Sequence, residues 1–225
     1  MKHIFLFLLT LNLAGGLPCP AGAAPTETAV RWITQSSEYK AVCEQTYAAA
    51  TEKVLALAES RKADGPWAVV MDIDETVLNN AQYQVELNAK KQTHSQAAWE
   101  EWVKRKEAPP VPGAKAFIQK LRKARGVRII FISNRFARNT GLTRQNLEAH
   151  GLVGKDDIFL LRRDRADKKA LRRQEVFEGT GRMAAHGKIE VLAWFGDAAN
   201  DFPEDKHLQW GRDKFILPNP VYGGW

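Results

Sequence analysis

Short apolar runs, each breaking off in a polar cluster and separated by helical stretches, set the strongest limit on what this chain can fold into. Ala68-Val69-Val70-Met71 runs into Asp72-Ile73-Asp74-Glu75. Val127 to Ile132 is apolar apart from Arg128 and closes in Ser133-Asn134-Arg135. Asp157 to Leu161 and Val191 to Phe195 repeat the theme, the latter ending at Gly196-Asp197, and Lys214 to Leu217 reads as a fifth run. Runs this short, bounded by turn residues, read as buried strands. The segments between them carry apolar residues at helical spacing. Strand–helix alternation predicts an α/β fold, a parallel sheet with helices on both faces. Such sheets bind ligands beyond the carboxyl ends of their strands, where the strand order reverses. Three of the polar clusters lie at that end of three different strands.

The remaining segments fill in the plan. Thr28 to Ser60 reads as one short and one long amphipathic helix, with Gly65-Pro66 as the stop. Asn79 to Val111 is polar, contains Trp99 and Trp102, and reads as a small, mostly helical cap inserted after the first strand. Pro112-Gly113 opens a helix, a second runs from about Thr140 to His150, and a charged one from about Asp167 to Phe177. A chain of 225 residues with 44% hydrophobic content supports one domain with a sizeable core.

The N-terminus has the order of a secretory signal: basic Met1-Lys2-His3, an apolar stretch from Ile4 to Leu13 too short to span a bilayer, then small residues to Ala24. The expected division is a signal peptide over 1–23 and a single domain over 24–225, with the cap at about 79–111. The expected location is beyond the inner membrane, in the periplasm. Cys19 leaves open a lipid-modified, outer-membrane alternative, although Pro18 fits that cleavage poorly. Cys43 is then the only remaining cysteine, so the fold must stand without an internal disulfide and Cys43 reads as a small buried residue. The net charge of +7 is scattered among acids, which argues against a nucleic acid polymer as partner and for a small anionic substrate.

Asp72 and Asp74 are two apart in an extended segment, so both side chains project to one side. Close carboxylates repel, and a cation or a proton relieves them. A carboxylate beside magnesium, which takes hard oxygen ligands, can attack phosphorus, and a second carboxyl can protonate the leaving alcohol.

Asp72-Ile73-Asp74-Glu75-Thr76-Val77-Leu78 resembles the first motif of the haloacid dehalogenase superfamily of phosphatases. Gly196-Asp197-Ala198-Ala199-Asn200-Asp201-Phe202 resembles its last motif. The segment from Leu217 through Pro218-Asn219-Pro220 to Trp225 is similar to the C-terminus of the class C nonspecific acid phosphatases. That resemblance implies a secreted, magnesium-dependent acid phosphatase acting on phosphomonoesters, 5'-nucleotides among them. It implies Asp72 as nucleophile and metal ligand, and Asp74 as general acid/base with its backbone carbonyl on the metal. Asp197 becomes a further metal ligand and Asp201 a support of the metal shell. Ser133 and Asn134 would meet the phosphoryl oxygens, with Arg135 in reach of phosphate. Trp99, Trp102 and Tyr222 would grip the leaving group. The family also places a phosphate-neutralising lysine near the third strand. Lys168 is the expected residue, with Lys169 and Arg172 as rivals, because Asp164 to Lys168 departs from the usual pattern. Two alternatives share the fold: a phosphotransferase using the same intermediate, and a non-catalytic storage or binding relative, which would have lost the nucleophile that Asp72 preserves.

Overall fold

A computed structural model describes residues 26–223. The expected signal peptide, its cleavage site, Cys19 and the last two residues lie outside the described residues. Five parallel strands form one sheet: β1 (Trp67–Met71), β2 (Val127–Phe136), β3 (Ile158–Arg162), β4 (Glu190–Gly196) and β5 (Lys214–Ile216), in the order β3-β2-β1-β4-β5. The chain moves outward through β2 and β3, then returns to the other side of β1. The reversal at β1 opens the crevice predicted for ligands.

Among the described residues seven α-helices accompany the sheet: α1 (Glu27–Gln35), α2 (Ser37–Ser60), α3 (Ala81–Ala89), α4 (Gln96–Arg105), α5 (Ala114–Leu121), α6 (Thr140–Ala149) and α7 (Lys169–Glu178). Ser36 divides the first two; its side chain accepts the Tyr39 N–H at 3.0 Å and starts α2. The segment expected to form a mostly helical cap, about 79–111, holds α3 and α4. At Gly113, φ is +86° and an added Cβ would meet the Tyr47 side chain at 3.1 Å, so a residue without one must open α5.

Alternation along the strands splits the core in two. Trp67, Val69 and Met71 face one side with Phe131 and Phe195, under Tyr47 of α2 and Phe117 of α5. Ala68 and Val70 face the other with Ile130, Ile132 and Trp194, under Val176 of α7. Tyr47 stacks on Phe195 with centroids 5.9 Å apart, and Phe117 meets Phe195 at 4.7 Å. Cys43 is buried in the first core, where burial pushes its thiol up to about 11, in keeping with a packing role. Among the described residues no helix is long and apolar enough to cross a membrane.

The strands match their expected bounds closely, except that β2 runs on to Phe136. Ser133, Asn134 and Arg135 therefore sit in its last extended turns, where pairing with β3 becomes irregular between Ser133 and Phe136. That irregularity re-aims polar side chains at the mouth of the crevice.

Candidate active site

β1 ends at Met71, and the Asp72 N–H still bonds to the Phe195 carbonyl of β4 at 2.9 Å. This pins Asp72 at the junction of the two central strands. Ile73 turns into the core and Asp72 and Asp74 turn the other way, as the spacing predicts. Glu75 then takes φ +56°, a left-handed kink that ends the extended segment.

The two aspartates nevertheless serve separate groups. Asp72 Oδ1 lies 2.7 Å from Lys169 Nζ, and Lys169 also contacts Asp201. Asp74 faces β2: Arg135 donates to it, Nε to Oδ1 at 2.9 Å; Asn80 Nδ2 donates at 3.1 Å; and Ser133 Oγ donates at 3.4 Å. Each carboxylate has its own cation, which divides the repulsion expected between them.

Asp72, Asp197 and Asp201 each present an oxygen within 4.8 Å of the others. The β4 turn makes this possible. Asp201 Oδ2 accepts the N–H groups of Asp197 at 3.1 Å and Ala198 at 3.0 Å, folding the turn back onto itself. A Cβ at Gly196 would lie 2.3 Å from that of Asp201, so glycine is required there by space. Asp197 also accepts hydrogen bonds from Asn219 Nδ2 at 2.8 Å and Thr76 Oγ1 at 3.3 Å. Burial raises Asp72 well above the usual carboxylate range, and Asp201, Asp197 and Asp74 raise it further against the pull of Lys169. Asp197 is pushed up to about 6, by burial first and then by Asp201. Burial opposes the charge on Lys169, but Asp72 and Asp201 outweigh it and hold the ammonium above its usual range.

The donor set tests what this trio could hold. It is all carboxylate oxygen, hard and anionic, the chemistry of magnesium or calcium sites rather than of thiolate or imidazole sites. Buried Asp72 Oδ1 accepts no well-directed hydrogen bond despite its ion contact with Lys169. The trio could therefore hold a divalent metal ion.

Several sequence expectations need correction. Lys168 caps the start of α7 and is exposed, so the lysine that enters the crevice is Lys169, one residue into the helix and turned inward. Its rival Arg172 is buried and donates to the Ser133 carbonyl at 2.5 Å and to Asn134 Oδ1 at 2.8 Å. It fixes the backbone of the β2 tip rather than meeting substrate. Arg135 is buried and committed to Asp74, so it is not free for phosphate. Trp102 is only 3% exposed, and its indole N–H donates to Asn80 Oδ1 at 2.8 Å. It supports the site from behind rather than gripping a leaving group. Trp99 is half-buried, edge-on to Tyr83, with the Arg135 guanidinium 5.7 Å from its ring centre. Tyr222 is 40% exposed and donates its hydroxyl to Glu75. Asn134 is exposed at the β2 tip, and Ser133 is buried beside Asp74.

Sequence reasoning gave no role to Glu75, Asn80 or Asn219. The buried Glu75 carboxylate accepts the Asn80 N–H at 2.8 Å, and Asn80 links Trp102 to Asp74. Asn219 ties the C-terminal segment to Asp197. Glu75 lies inside the first motif and Asn219 in the family-like C-terminal segment, but Asn80 falls in the stretch read as the cap and carried no signal.

Residues 19–225 match the model of the HAD superfamily, subfamily IIIB (acid phosphatase). The chain belongs to that family. Membership indicates a phosphomonoesterase, and HAD phosphatases usually use a divalent metal. The class C acid phosphatase from Bacillus anthracis is 27% identical, with a TM-score of 0.72 over 88% of this chain and 85% of that one. The same enzyme with tungstate bound gives a TM-score of 0.73 at the same identity and coverage. The Stem 31 kDa glycoprotein of Glycine max is 27% identical over 159 residues, 68% of this chain. The match spans 58% of that curated relative's length.

Proposed function

We propose that the protein is a secreted, magnesium-dependent acid phosphatase that hydrolyses phosphomonoesters, 5'-nucleotides among them, through an aspartyl-phosphate at Asp72. The observation that carries this reading is the meeting of Asp72 with Asp197, Asp201 and Lys169 at the end of the two central strands.

Asp72, Asp197 and Asp201 would hold the metal, which when bound supplies positive charge against the carboxylates and the phosphoryl oxygens. An Asp72 carboxylate oxygen forms a bond to phosphorus as the ester P–O bond breaks, and Asp74 gives its proton to the departing alkoxide. Arg135 and Asn80 hold Asp74 in place for that transfer. Asp74, now a carboxylate, takes a proton from water; the water oxygen attacks phosphorus, the Asp72–phosphorus bond breaks, and inorganic phosphate leaves. Lys169 and the Ser133 and Asn134 groups face the charge that builds on the phosphoryl oxygens. Tungstate is a tetrahedral oxyanion like phosphate, so the tungstate-bound Bacillus anthracis relative supports a phosphate-shaped site here. Residues 1–23 would direct export to the periplasm.

The test is phosphate release from p-nitrophenyl phosphate and from adenosine 5'-monophosphate. Wild type should turn both over, lose activity in chelator and regain it with magnesium, while Asp72→Asn should be inert. A variant that keeps near-native turnover removes Asp72 from the chemistry, and full activity in chelator removes the metal.

A further inference from the structure

A buried amide, that of Asn80 at the start of α3, stands between the cap and Asp74. One end of such an amide only donates hydrogen bonds and the other only accepts, so its neighbours decide which way it points. The indole N–H of Trp102 can only donate, and it meets one end at 2.8 Å. Arg135 Nη2, also a donor without acceptor capacity, lies 3.4 Å from the same atom. That end must be Oδ1. Nδ2 then faces two carboxylates, Asp74 Oδ1 at 3.1 Å and Glu75 Oε2 at 3.2 Å. A reversed amide would set its oxygen against both carboxylates and its NH2 against two donors, losing all four contacts in a buried place. Trp102 is itself held from the cap side: Arg105, bound to Glu86 at 2.8 Å, lies 4.6 Å over its ring.

The two oxygens of Asp74 are unequal as a result. Oδ1 receives Arg135 Nη2 at 2.8 Å, Arg135 Nε at 2.9 Å and Asn80 Nδ2 at 3.1 Å. Three N–H donors fill that oxygen and leave no room for a proton of its own. Oδ2 has only longer contacts, Arg135 Nε at 3.3 Å and Ser133 Oγ at 3.4 Å. It is also the Asp74 oxygen on the side of Ser133, the hydroxyl expected to meet the phosphoryl group.

We propose that Trp102 and Asn80 are positioning residues for the proton transfer: by fixing the sense of the amide they reserve Asp74 Oδ2 as the oxygen that carries the proton to the leaving group. The proposal rests on the phosphatase reading of the Asp72 site and deepens it. As an Asp72 oxygen bonds to phosphorus and the ester P–O bond breaks, the Oδ2 proton passes to the departing oxygen and its electron pair stays on Asp74. An alkyl alkoxide needs that proton far more than p-nitrophenolate does. A cap seated through Trp102 therefore favours esters of ordinary alcohols.

Trp102→Phe keeps a ring in place and removes the N–H. It should lower kcat/KM for glycerol 2-phosphate about tenfold more than for p-nitrophenyl phosphate, the scale of one buried hydrogen bond. Asn80→Ala should show the same leaving-group bias, and adding Trp102→Phe to it should bring no further bias, because the indole acts through the amide. Equal losses on both esters in Trp102→Phe, no loss on either, or a bias that adds to that of Asn80→Ala overturns the proposal. Where Asn80→Ala fails to fold, Trp102→Phe alone decides. The nuclear magnetic resonance signal of the Trp102 indole N–H reads the link without turnover and should move in Asp74→Asn. A signal that ignores that substitution overturns the link, whereas wild type inert on both esters with a responding signal sinks the phosphatase reading and leaves the link supported.

Discussion

At Lys169 one ammonium touches two carboxylates, Asp72 and Asp201, inside a crevice that burial has made hostile to unpaired charge. Its neighbour Lys168 sits in solvent at the helix cap. Lys169→Met keeps the length of the side chain and removes the charge, so it should lower kcat for p-nitrophenyl phosphate by about a hundredfold or more, the scale of losing one preorganised charge stabiliser. Lys168→Met should change kcat by less than about twofold, as a solvated surface charge does. Steady-state rates of the two variants, with circular dichroism as the folding control, decide between the lysines. Arg135 makes a different kind of contribution. It holds Asp74 through Nε and Nη2, so Arg135→Lys keeps charge but loses the fork. That variant should slow esters with poor leaving groups, such as alkyl phosphates, more than p-nitrophenyl phosphate, whose leaving group needs little protonation. Equal slowing of both would mean that Arg135 does not act through the acid.

At the scale of elements, the first and last motifs close on each other. Asn219 and Tyr222, beyond β5, reach Asp197 and Glu75 at the ends of β4 and β1. Asn219→Ala strips Asp197 of a donor that holds its carboxylate in the trio. Magnesium activation should then need about tenfold more metal, the scale of losing a hydrogen bond behind a metal ligand, with kcat at saturating magnesium largely kept. A metal titration of activity measures both. Much of this scaffold was legible in the sequence, because strand and helix periodicities differ and strand ends were marked by acids and turn residues. The meeting of Asp72 with Asp197 and Asp201 was foreshadowed by their places in the two segments that resemble the family's first and last motifs, at the ends of the first and fourth apolar runs. The lysine, the tryptophans and Arg135 were not. A one-residue shift at the start of α7 decides which lysine points inward, and no periodicity marks a helix start to that precision. Trp102 alternates between ligand and core readings until the burial of Asn80 beneath the cap gives its N–H a partner. Glu75 and Asn80 acquire meaning only once the kink at Glu75 folds its carboxylate under the cap.

For the whole molecule, the site is a place where folding works against itself. Folding buries Asp72 and Asp197 close to Asp201, and their proton affinities rise, Asp197 from 3.8 to about 6. A carboxylate whose folded pKa lies above its unfolded value binds more protons folded than unfolded between the two. In that window stability falls as pH rises. Asp167, held low by Arg182, has the opposite sign, but its contribution is lost only below its unfolded value of 3.8. Lys169, raised by its acidic neighbours, loses its contribution only above its unfolded value of 10.5. Neither alters the slope between pH 4.5 and 7. His94, which burial holds below its usual 6.5, works the other way in this window. It is one group against these two acids and buried Glu75, raised in the same sense, so in chelator the melting temperature should decline from about pH 5 to pH 7. A divalent cation replaces the protons, so magnesium should stabilise the protein more at pH 7 than at pH 5. At a hundredfold excess over its Kd the gain is about 2.7 kcal/mol, or roughly 5–10 °C for a domain of this size. Thermal unfolding at pH 5 and pH 7, each with chelator and with magnesium, measures the four values. Asp197→Asn should reduce the chelator slope and shrink the magnesium gain together, because that carboxylate contributes to both. A magnesium gain that is the same at both pH values would mean that the ion binds somewhere other than among these three acids.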